Sequence, residues 1–190
     1  MTTAGESLAT SEAVLSLTAA SRPLSGVTDA GVFRAETGGI DLFGVLFDPA
    51  STEWADDVAD FTDRIDRLTL VTGHDDVSAA LRSLPAESRD LARTFHAEKP
   101  GSLGEIGIRV SATLSEGSDV RNSRLVFVDG FEQVIADTPL QPTFRFLHTL
   151  SEATAYTDTV LHVSLDPTAC DDRAVETVAE LFDSVVDERP

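Results

Sequence analysis

The chain has 190 residues, 42% of them hydrophobic, enough for one domain with a substantial buried core. It carries 33 acidic residues against 14 basic ones, a net charge of −19, and Lys99 is its only lysine. With no basic stripe to meet phosphates, direct nucleic-acid binding is not expected. The single Cys170 excludes an intrachain disulfide and a cysteine-based zinc cluster. The N-terminal MTTAGESLAT lacks the features of a signal peptide, and no apolar run approaches membrane-span length, so a cytoplasmic protein without membrane contact is expected.

Residues 1–11 read as a small, polar tail ahead of a single domain over residues 12–190. Ala13–Thr18, AVLSLT, reads as a first strand. The loop after it has one glycine before Val27, Gly26, and no lysine, so it is not the G-x-x-x-x-G-K-[ST] phosphate loop. A short helix is expected over Asp29–Glu36. Ile40–Phe47, IDLFGVLF, is a nearly continuous apolar run, the pattern of a strand buried on both faces of a parallel sheet. An amphipathic helix follows over Thr52–Asp66: Trp54, Val58, Phe61 and Ile65 form its apolar stripe, and Asp56, Asp57, Asp60 and Asp63 a solvated face.

Arg67–Thr72, RLTLVT, reads as the third strand. A helix capped by Asp75 or Asp76 then runs through Val77, Leu81 and Leu84 and stops at Pro85. A further helical turn is expected over Glu87–Arg93, and a short strand over Thr94–His96. Ser102 and Glu105 have the spacing of a capping box, and Leu103, Ile106, Val110 and Leu114 form the stripe of the helix they open. Arg124–Glu132, RLVFVDGFE, holds the central strand, Leu125 to Val128, with Asp129 at its carboxyl end, where open α/β sheets place ligands. Thr138–Pro142 reads as a loop and Thr143–Ala155 as a helix burying Phe146, Leu147 and Leu150. Thr159–Leu165, TVLHVSL, is the next strand. Asp171–Ser184 reads as a helix through Val175, Val178, Leu181 and Phe182. Ser184–Glu188 either extends that helix or forms an edge strand. This alternation of strands and helices predicts an α/β three-layer domain with a mainly parallel central sheet and right-handed crossovers.

The C-terminal half, RLVFVDGFEQVI followed by FRFLHTLSEATAYTDTVLHVSLDPTACDDRAVETVAELFDSVV, resembles an uncharacterised haloarchaeal family related to RecA and KaiC ATPases. The F-R-F-L-H helix, the strand ending in D-P and the L-F-D-x-V-V end carry the resemblance. It spans about Ser102–Val186, and the first half follows by element order. The acidic, lysine-poor composition is also similar to that of salt-loving archaea, in which concentrated salt screens self-repulsion; an acidic mesophile protein or an acidic partner-binding surface is the alternative.

The resemblance implies a RecA-like fold with Asp129 in the place of a Mg²⁺-holding Asp. ATP hydrolysis does not carry over, because the phosphate-loop lysine and glycines are missing. Glu132, as a base on water, is a further candidate. Asp48, Asp75, Asp76, Asp129 and Asp166 converge on the carboxyl edge and have the chemistry of a hard-cation site, but Asp is also the usual residue at strand ends and helix caps. His74, His96, His148 and His162 show no zinc spacing, and packing or hydrogen-bonding roles are expected for them. No G-x-S-x-G elbow and no dinucleotide G-x-G-x-x-G is present. The expectation is a non-catalytic interaction module in regulation or signalling, working with a protein partner or as a homo-oligomer. The alternatives are an enzyme that binds ATP through Asp129 and Mg²⁺, and a subunit whose site a partner chain completes.

Overall fold

A computed structural model describes residues 12–18, 39–47, 53–72, 81–97, 102–116 and 122–187. Seven strands are β1 (Ala13–Leu17), β2 (Ile40–Leu46), β3 (Ile65–Thr72), β4 (Ala92–His96), β5 (Ser123–Asp129), β6 (Val160–Leu165) and β7 (Ser184–Asp187). They form one sheet in the order β4-β3-β2-β5-β6-β1-β7. Every pairing is parallel. The helices are α1 (Glu53–Asp60), α2 (Ala86–Leu91), α3 (Leu103–Ser115), α4 (Phe131–Asp137), α5 (Leu140–Ala155) and α6 (Asp172–Ala179), with 3₁₀ turns at Thr62–Arg64 and Pro167–Ala169. The expected α/β fold with a parallel sheet between helical layers is observed, and it is consistent with a three-layer RecA-like domain.

Strand alternation sorts the core into two layers. Phe43 and Val45 of β2, Val126 and Val128 of β5, and Leu161, Val163 and Leu165 of β6 point to one face. There they meet Ile106 and Val110 of α3, Phe131 of α4, Phe146 and Leu150 of α5, and Val178 of α6. Leu42 and Leu46 of β2, Leu68 and Leu70 of β3, and Leu125 and Phe127 of β5 point to the other face, onto Trp54 and Val58 of α1 and Leu84. All seven residues of β2 are buried, because helices cover both sides of a central parallel strand. Gly44 is required there: a Cβ on it would lie 2.5 Å from Phe127 Cζ and 2.9 Å from Leu70 Cδ2.

At the amino end of the sheet a polar network ties strands to helix ends. The Asn122 amide nitrogen donates to Asp41 Oδ1 and Asp66 Oδ2, each at 3.0 Å. The Arg124 guanidinium donates to the carbonyls of Leu114 and Thr157, which end α3 and follow α5, and its Cζ lies 5.9 Å from the Phe43 ring centroid. Burial lowers the Arg124 pKa below its ordinary value; neighbouring Asp41 opposes that shift and Arg67 adds to it.

Several boundaries differ from the sequence reading. The helix expected over Thr52–Asp66 ends at Asp60, and Ile65 opens β3 instead of closing the helical stripe. Asp57, assigned to the solvated face, is buried at 4% exposure. Ser102 precedes α3 as expected, but its side chain makes no capping hydrogen bond. The turn expected over Glu87–Arg93 ends at Leu91, and β4 already starts at Ala92. Helix α5 begins at Leu140, inside the segment read as a loop, because prolines suit a helix's first turn, where an N–H has no acceptor. Helix α6 stops at Ala179, and Ser184–Asp187 is an edge strand beside β1. The short helix expected over Asp29–Glu36, the tail 1–11 and the caps at Asp75 and Asp76 lie outside the described residues.

Candidate functional site

The carboxyl end of the sheet is built around β5. Its run of branched and aromatic residues, Leu125 to Val128, is buried on both faces, and the strand delivers Asp129 to the edge. Gly130 turns the chain with φ 73°, a left-handed conformation that glycine enters without a Cβ clash, and α4 starts at once. The Phe47 N–H donates to the Asp129 carbonyl at 2.9 Å, extending the β2–β5 ladder to the edge itself. The Asp129 side chain has 0% exposure.

On the opposite face of β5, that of Val126 and Val128, three phenylalanines pack together at this end of the sheet. Phe47 follows β2, Phe131 opens α4 and Phe146 belongs to α5. Phe47 meets Phe131 and Phe146 edge to face, with ring centroids 6.0 and 5.8 Å apart, and Phe131 stacks on Phe146 at 6.2 Å. Such geometries add to the burial free energy of large rings. All three are at most 4% exposed.

Toward β6 and β1 the strand interiors turn polar on the face that Asp129 shares with Leu125 and Phe127. His162 lies in register with Phe127 and with Val14, and Ser164 with Ser16. Ser16 Oγ and His162 Nε2 share a buried hydrogen bond of 2.8 Å across 146 residues of sequence. The Ser164 hydroxyl donates to the Val128 carbonyl at 3.3 Å. A hydroxyl on an imidazole is also the pairing of a nucleophile with its base. Here both partners sit inside strands, at 2% and 0% exposure, and neither stands on an exposed turn, so the bond joins β1 to β6.

The remaining candidates are separate from this row. Glu132 is half-buried in the first turn of α4. The Asp166 carboxylate accepts from the Thr168 N–H and hydroxyl, at 2.8 and 2.7 Å, which is a cap for the 3₁₀ turn after β6. Asp171 caps α6 by accepting from the Ala174 N–H at 2.8 Å. Between them Cys170 is half-buried, and its thiol pKa is pushed up to about 11 by burial first and then by Glu132, Asp166 and Asp171. The cap at Asp166 matches the usual role of Asp at a strand end. His148 is exposed on α5, with Nε2 3.9 Å from Glu152 Oε1. Among the described residues no group of three or more His, Cys, Asp or Glu could hold a metal ion. Asp48, Asp75, Asp76 and His74 lie outside those residues.

Sequence reasoning missed α4, the aromatic cluster and the Ser16–His162 bond. The last had a signal: AVLSL and VLHVSL are strands buried on both faces, each interrupted by polar residues, and such residues need internal partners.

No helix of the described residues is long and apolar enough to cross a membrane. No curated protein and no solved structure matches the chain. A family model matches residues 45–188, which hold the end of β2 and all of β3 to β7. The chain therefore belongs to that family, the family of unknown function DUF7504.

Proposed function

We propose that the chain is a non-catalytic, RecA/KaiC-like module of a halophilic archaeon that acts through protein–protein contact in regulation or signalling. The observation that carries this reading is the complete burial of Asp129 at the end of β5, on the face that it shares with Leu125 and Phe127. A carboxylate that holds Mg²⁺ on a nucleotide needs an open coordination sphere, and the phosphates need a lysine and a cradle of N–H groups. Residues 19–38, which follow β1, contain no lysine. Arg22 is a broad guanidinium and does not replace a compact ammonium. The α/β sheet is thus kept as a scaffold, and its outer surfaces are left for a partner or a second copy.

The test is calorimetric titration with ATP and Mg²⁺ in molar KCl, on the wild type and on Asp129→Asn. No heat of tight binding is expected from either. Micromolar binding in the wild type that vanishes in Asp129→Asn overturns the proposal in favour of a nucleotide-binding enzyme that uses Asp129 and Mg²⁺. Binding that appears only at high protein concentration points instead to a site completed by a partner chain.

A further inference from the structure

We draw no further inference here: the strongest candidate, the outward face of α3, where Ile108 is 73% exposed between Gly104 and Ala112, carries nothing because nothing in the structure shows what covers it.

Discussion

Replacing Gly44 with Ala tests the packing of the sheet at its centre. The added methyl would lie 2.5 Å from Phe127 Cζ and 2.9 Å from Leu70 Cδ2, well inside contact distance. Phe127 cannot swing away freely, because it is fully buried and stacks on Trp54 at 6.2 Å with an interplanar angle of 29°. Overpacking of this kind costs about 1–3 kcal/mol. Ala also reduces the entropy of the unfolded chain, which returns about 0.4–1 kcal/mol. The net expectation is a loss of about 1–2 kcal/mol, a fall of roughly tenfold in the folding equilibrium constant. Denaturant melts at fixed high salt measure it as a lower midpoint with an unchanged slope. Phe127→Leu alone should also destabilise, but the Gly44→Ala/Phe127→Leu double variant should lose less than the sum of the two. A neutral or stabilising Gly44→Ala, or strict additivity in the cycle, would refute the claimed close approach.

Other outcomes are expected. Folding should require salt, because the charge of −19 is screened over about 3 Å at 1 M but only over about 10 Å at 0.1 M; circular dichroism melts across a KCl series should show a rising midpoint. Phe47→Ala should cost about 3–5 kcal/mol by opening a cavity between Phe131 and Phe146, read in the same denaturant assay. Ser16→Ala should cost about 1–3 kcal/mol, because it removes a hydrogen bond from a buried imidazole, and Ser16→Thr should retain more of the stability. Cys170 should react slowly with iodoacetamide at pH 8 and faster in Glu132→Gln, since its folded pKa is about 11. That raised value leaves stability intact below the ordinary thiol value of 9.0. Stability then falls as pH rises toward about 11, because the unfolded thiol ionises first; alkaline melts of wild type and Cys170→Ala compare the two.

The parts of the fold that were legible in the sequence are those whose burial leaves a periodic trace. Strands β2, β5 and β6 are covered on both faces and read as apolar runs, while α3 and α5 bury one stripe each. Failures came where burial continues through a change of backbone. Ile65 is buried whether it ends a helix or starts a strand, so the spacing from Trp54 could not reveal the 3₁₀ turn at Thr62–Arg64. Leu181 and Phe182 pack against the same core from the turn after α6, which let them pass for helical positions. Helix α4 has seven residues, about two turns, too few for a period to register. The position of Asp129 at the strand end was legible. Its burial was not, because Asp at a strand end reads the same in sequence whether it caps an exposed edge or is covered.

The two ends of the sheet resolve buried polarity differently. At the amino end Asn122 ties the carboxylates of Asp41 in β2 and Asp66 in β3, and Arg124 of β5 donates to the carbonyls of Leu114 and Thr157 at helix ends, so that polar row works as a structural clasp. At the carboxyl end Ser16, His162, Ser164 and Asp129 occupy β1, β6 and β5, each at most 4% exposed. Polar groups in such positions cost free energy unless they are bonded, and Ser16–His162 and Ser164–Val128 are internal bonds. A slip of β6 by one residue would turn His162 to the opposite face, away from Ser16, so the row also fixes strand register. These two bonds, Ser16 to His162 and Ser164 to the Val128 carbonyl, thus hold β1, β6 and β5 together.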